Sequence, residues 1–136
     1  NAEATFQASK LDWRAAAEPA RAERLERVGR LLDIRRREIV PRLKGIKGNA
    51  GNIFLVGERG FAVQWRLGDG GTLLLYANLQ SEVWQVPEVV AQQAGEADRL
   101  LYESAPGCEA RLRSGSFAPW SVVVKLRESG APRTSP

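Results

Sequence analysis

Apolar residues recur at helical spacing before residue 40 and at strand spacing after residue 50. This change of period divides the chain. Leu25, Val28, Leu32 and Ile39 fall near one stripe of a helix, with Leu31 beside them. Glu18-Pro19 supplies a start, because proline is tolerated in a first helical turn and glutamate suits the positive end of the helix dipole. Pro41 biases Val40 away from helical geometry, so the pattern predicts one amphipathic helix from Pro19 to about Glu38. Gly29 weakens it by roughly 1 kcal/mol relative to alanine. An apolar stripe has to be buried against something. No comparable helix follows, so the expectation is that this helix belongs to a larger body and that the chain is the end of a longer protein.

Lys44–Asn52 (KGIKGNAGN) is rich in glycine and asparagine and reads as a linker. Beyond it the period becomes two. Phe61, Val63, Trp65 and Leu67 alternate with Ala62, Gln64 and Arg66, which predicts a strand with Phe61, Val63 and Trp65 on its buried face. Gly68-Asp69-Gly70-Gly71 is a turn cluster, and the nearly all-apolar Thr72–Leu79, expected to be covered on both faces, completes a hairpin. Ile53–Val56, Val83–Val86, Arg99–Glu103 and Ser121–Leu126 are further strand candidates. Glu109–Arg113 is a weaker one, and Val89–Ala94 reads as a helical turn or a loop. Residues 1–17 read as irregular. The fold predicted is mostly β: an antiparallel β-sandwich preceded by one long amphipathic α-helix. The divisions are 1–44, 45–127 and a flexible tail over 128–136.

Charge follows this division. Residues 1–47 hold 12 Lys/Arg and 7 Asp/Glu, whereas the rest holds 8 and 9. A basic helix could serve nucleic acid. However, Glu23/Arg27, Glu26/Arg30 and Asp33/Arg37 are acid-first i,i+4 pairs, the dress of a solvated helix face, so no nucleic-acid partner is expected. The chain has no histidine, which removes Ser-His-Asp and Cys-His catalysis and the usual zinc sites, and no metal or cofactor is expected. Cys108 is the single cysteine, too few for an internal disulfide. The first residues lack the shape of a signal peptide and an initiator methionine, consistent with a fragment. The single thiol and the missing signal-peptide shape together favour a cytoplasmic location. No apolar run approaches the roughly 20 residues of a membrane span.

Candidate chemistry is sparse. Asp12, Asp33, Asp69, Glu82, Glu103 and Glu109 stand in no recognisable catalytic context, so no catalytic residue is assigned. The GDGG cluster leads into a strand rather than a helix and serves a turn, not a phosphate. Cys108 reads as a passive thiol. Flat aromatic faces can stack on sugar rings. Trp84, beside Glu82, Val83 and Gln85, is the aromatic expected to be most exposed and the first candidate for such a contact. Trp65, on the apolar parity of its strand, is expected in the core, and Trp120 is expected to anchor the entry to the last strand.

Four pieces in order carry a resemblance: FQASKLDW (Phe6–Trp13), LLDIRRREIVPRL (Leu31–Leu43), WRLGDGGTLLLYANL (Trp65–Leu79) and RLLYES…FAPWSVVVKL (Arg99–Leu126). The series resembles the C-terminal end of malto-oligosyltrehalose trehalohydrolases, of the alpha-amylase family of glycoside hydrolases. The resemblance implies that the helix is the last helix of a (β/α)8 catalytic barrel, which would be the missing partner, and that the β region is the all-β C-terminal domain beside it. It implies a bacterial parent that releases trehalose from maltooligosyl trehalose, with catalytic carboxylates on earlier barrel strands. Phe6–Trp13 would follow the last barrel strand, which makes Trp13 a second candidate near sugar. The expected role is structural, with Leu25, Val28 and Leu32 as packing residues and the fragment inactive alone. The alternatives are an independent α-glucan-binding module and the C-terminal domain of a related amylase or glycogen-branching enzyme. An uncovered helix stripe could also drive self-association.

Overall fold

A computed structural model describes residues 2–10, 18–56, 60–95 and 98–130. The chain forms two compact units, residues 1–37 and 38–136.

The first unit is helical. Helix α1 (Ala2–Ala8) stands where an irregular segment was expected. Its sequence AEATFQA consists mainly of helix-tolerant residues, and the Gln7 side chain donates to Glu3 one turn back at 2.6 Å. Helix α2 (Pro19–Ile34) carries Pro19 in its first turn, as expected. Arg27 pairs with Glu23 at 2.9 Å, Arg30 with Glu26 at 3.8 Å and Arg37 with Asp33 at 3.0 Å, all on solvated side chains. The α-geometry stops at Ile34, earlier than predicted. A π-turn (Arg35–Ile39) and a 3-10 turn (Val40–Leu43) carry the chain past Pro41, which sits near the start of the 3-10 turn. No residue of α2 is buried: Leu25, Val28 and Leu32 are all exposed, so the stripe predicted from the sequence exists without burial.

The second unit is built on a five-stranded antiparallel sheet. Its strands are β1 (Gly51–Val56), β2 (Gly60–Arg66), β3 (Thr72–Asn78), β5 (Arg99–Glu103) and β7 (Ser121–Arg127), in the order β1-β2-β3-β7-β5. The predicted hairpin joins β2 to β3. Gly70 adopts φ 86°, and the Asp69 carboxylate accepts the Gly71 N–H at 2.9 Å, which closes the turn. A second layer consists of a two-stranded ribbon, β4 (Trp84–Gln85) with β6 (Ser116–Phe117), and two short helices, α3 (Glu88–Gln93) and α4 (Cys108–Arg113). The antiparallel β unit preceded by a long helix therefore stands. Helix α4 replaces the weak strand expected over Glu109–Arg113. Its start is held from outside the helix: Glu103 at the end of β5 accepts the backbone N–H groups of Gly107 and Glu109 at 3.2 and 3.1 Å.

The core lies between the sheet and this second layer. It joins Ala62, Leu74, Tyr76 and Val123 of the sheet to Trp84, Val86, Val90, Ala94, Cys108, Leu112 and Phe117. This reverses the parity expected for β2. Ala62 faces the core and is fully buried, whereas Phe61, Val63 and Trp65 are half-buried on the opposite face. The reason is steric. The Trp84 ring lies against Gly60, so closely that a Cβ there would overlap its six-membered ring, and the core face of β2 must therefore be small. Trp84, first among the aromatics as a candidate for exposure and sugar contact, is instead in the core, at 6% exposure.

Charged groups clamp this arrangement. Lys125, fully buried on β7, donates to the carbonyls of Ala94 and Gly95 at 2.7 and 2.8 Å and to Glu109 at 2.7 Å. All three ammonium protons have a partner, which a buried cation needs. Arg127 grips Asp98 through two bonds of 2.7 and 2.8 Å. Residues 38–42 are bound to the same unit by ions. Arg42 lies 3.1 Å from Asp69 and 3.2 Å from Glu128, and Arg99 lies 2.6 Å from Glu38. The hydrogen bond to Glu38, more than any other factor, holds the Arg99 guanidinium above its usual pKa.

Two outcomes follow from this core. Gly60→Ala should lower the thermal midpoint, by an amount matching about 1–3 kcal/mol of overpacking, and a second change of Trp84→Leu should recover part of the loss. Burial, reinforced by the Asp98 carboxylate, pushes the Tyr76 phenol above its ordinary value of 10.0. The unfolded chain ionises Tyr76 near pH 10 while the folded chain does not. This contribution is therefore complete below about pH 10 and is lost above it, at up to about 1.4 kcal/mol per pH unit. Calorimetry between about pH 9 and pH 11 should show the thermal midpoint falling more steeply for the wild type than for Tyr76→Phe.

Candidate functional site

Cross-strand pairing places the apolar residues of the sheet in rungs. Phe61, Ala77 and Val122 align on neighbouring strands, as do Val63, Leu75 and Val124, and as do Trp65, Leu73 and Leu126. Ile53 on β1 and Tyr102 on β5 extend the middle rung to both edges. Paired residues point to the same face. These rungs form the face turned away from the core; on β2, β3 and β7 they carry no charged side chain, while Arg99 of β5 pairs with Leu126 at the edge of the third. Ala77 and Leu126 are buried; Phe61, Val63, Trp65, Leu73, Leu75, Val122, Val124 and Tyr102 are half-buried; Ile53 is 61% exposed. The Trp65 indole rests on Gly51 of β1, where a Cβ would meet Nε1 at 2.8 Å. By contrast the core-facing rows of the same sheet include Asn78, Gln64, Lys125 and Arg127. A sheet apolar on both sides is the pattern of one covered on both sides.

A second feature sits at one end of the sheet, where β3 leaves and β7 enters. Asn78, fully buried, donates through its side-chain amide to the carbonyls of Glu82, Phe117 and Ala118 at 2.8, 3.2 and 3.0 Å. Its Oδ1 accepts the Gln80 N–H at 3.3 Å. One side chain thus ties the 79–83 loop to the 117–120 segment. Trp120 donates its backbone N–H to Gln80 O at 3.2 Å and adopts φ 51°, a left-handed conformation that a bulky residue rarely takes. The side chain is 65% exposed, so Trp120 does not pack as the anchor expected. Leu79 and Val83 of the same loop are also exposed.

The other sequence candidates separate. Trp84 is in the core, and Trp13 lies outside the described residues. Phe6 sits on α1, exposed, with the Lys10 ammonium 4.8 Å above its ring. Cys108 is buried at the start of α4, with Sγ 3.5 Å from Ser121 Oγ. Among the described residues no group of His, Cys, Asp or Glu could hold a metal ion, and no helix is long and apolar enough to cross a membrane. The two features that sequence reasoning missed are the Asn78 clasp and the Lys125 clamp. The apolar second face is in line with the expectation that Thr72–Leu79 is covered on both sides, although the bulky residues of β2 were placed on the wrong face.

Replacing the clasp should be felt locally. Asn78→Ala should cost about 1–3 kcal/mol, since the buried Phe117 carbonyl and the part-buried Glu82 and Ala118 carbonyls lose their donor. Hydrogen exchange at the Trp120 amide, just before β7, should quicken by more than at Val123 within it.

Comparison with known proteins agrees with this architecture. None of the curated proteins matches the chain. Among solved structures, one of a "Putative alpha Amylase from Salmonella typhimurium" superposes with a TM-score of 0.76 at 27% identity, over 94% of this chain and 20% of that one. The chain thus spans about a fifth of the length of that relative. The family described as "Domain of unknown function (DUF3459)" matches residues 48–124, more than half of the chain and most of its β unit. The chain belongs to this family and is a C-terminal domain of the alpha-amylase family.

Proposed function

We propose that this chain is the accessory C-terminal domain of a glycoside hydrolase resembling malto-oligosyltrehalose trehalohydrolase, and that it stabilises the catalytic barrel preceding it. The observation that carries this reading is the apolar second face of the sheet, with rungs of side chains held half out of water. Completing the burial of each would contribute roughly 1 kcal/mol, a fraction of the 1.5–3 kcal/mol for a fully buried Leu, Val or Phe. The exposed stripe of α2, around Leu25, Val28 and Leu32, is a second surface in want of cover and supports the same view. The Salmonella relative, about five times as long as the matched region, has room for such a catalytic domain. In this reading the parent releases trehalose from maltooligosyl trehalose in the cytoplasm, and the fragment by itself is inactive.

The test is Leu75→Asp, at the centre of the middle rung, made both in this chain and in the full-length parent. The expected result is inactivation of the parent several-fold faster on heating, with its KM unchanged, while the melting midpoint of the separate chain moves much less. Equal loss in both would assign Leu75 to the domain's own stability and remove the docking role. Product analysis tests the substrate: glucose and maltose in place of trehalose would point to a related amylase.

A further inference from the structure

The Asn78-tied end of the sheet presents an aromatic that the fold does not use. Trp120 is 65% exposed, and its left-handed backbone costs about 1–3 kcal/mol, so the surrounding structure must impose that geometry. Both sides of the residue are fixed. Its amide is bonded to Gln80, and the next residue, Ser121, is paired with Asn78 in the sheet. The ring is therefore carried on a rigid support and not on a loose loop. We propose that Trp120 is a stacking platform for a glucan chain, supported by the polar edge of the 80–82 loop.

Chemistry narrows the ligand. Neither 78–83 (NLQSEV) nor 116–121 (SFAPWS) contains a lysine or arginine, so these two segments offer a polyanion no cation. Trp120, Leu79 and Val83 together offer a few hundred Å² of apolar surface, well short of the roughly 1,200 Å² of a stable protein interface. A pyranose ring fits the dimensions: its C–H face lies on the indole, while its rim of hydroxyls needs polar neighbours such as the exposed Ser81 hydroxyl. The choice of an α-1,4-linked glucan over other sugars rests on the proposed function above.

The experiment is affinity electrophoresis of the full chain through gels containing amylopectin, with cellulose-derived oligosaccharides as competitors and maltoheptaose as the positive one. Retardation by amylopectin, relieved by maltoheptaose and weakened about tenfold in Trp120→Ala, is expected, with Trp120→Tyr retaining most of it. The melting midpoint of Trp120→Ala should stay within about 2 °C of wild type, as for an exposed side chain. Absence of retardation overturns the platform, yet leaves the docking role intact, because that role is read from Leu75. Retardation unchanged in Trp120→Ala overturns it as well. So does protection of Trp120 from oxidation by N-bromosuccinimide in the full-length parent without glucan, since the ring would then be covered by protein. Relief by the cellulose-derived competitors as readily as by maltoheptaose would reject the α-glucan assignment.

Discussion

The architecture rests on a sheet whose two faces are both apolar but are covered unequally. An antiparallel sheet with one wet side normally alternates apolar with polar along each strand. Here β3 is apolar on both parities, and its neighbours β2 and β7 place a bulky residue at every outward position of the central rungs. One side is sealed inside the chain by a thin second layer. The other is left as an array of mostly half-buried side chains. An apolar face of this kind is natural for one domain set beside another.

The sealed side shows how little material covers it. Two short helices and a two-stranded ribbon suffice because the bulk comes from above: Trp84 and Phe117 fill the space that small residues, Gly60 and Ala62, leave open on β2. Size is shifted from the sheet to its cover. The same exchange explains why polar side chains are tolerated among the inward rows. Asn78, Lys125 and Arg127 each reach backbone carbonyls or acids of the covering layer, so their burial ties that layer down.

Local features were readable in the sequence, and those that depend on distant partners were not. The GDGG hairpin follows from turn chemistry confined to four residues, and the acid-first pairs of α2 follow from helical geometry alone. The bulky alternation Phe61-Val63-Trp65 was visible as well, but which side it faced was not. That depended on Trp84, some twenty residues away, occupying the opposite side. Trp84 itself looked exposed because its neighbours Glu82, Val83 and Gln85 are solvent-facing; only pairing with β6 turns it inward. Likewise CEARLR (Cys108–Arg113) becomes a helix with its first turn held by Glu103 from another element. Trp120 was legible as a strand-entry residue, but its left-handed backbone is imposed by the Asn78–Ser121 pairing and the Gln80 carbonyl.

The Lys125 clamp bears on how the β unit comes together. The ammonium sits on an interior strand, and its three acceptors belong to the two residues that follow α3 and to the first turn of α4. With the sheet formed and the cover absent, the cation would face solvent and could stay hydrated. With the cover half seated, it would be stripped of water before its acceptors had arrived. The partly assembled state is thus penalised more than either end state, and the sheet and its cover should form and dissolve as one cooperative step. A single buried charge acts here as a latch on the folding reaction, disfavouring the intermediates in which an apolar core stands partly open to aggregation.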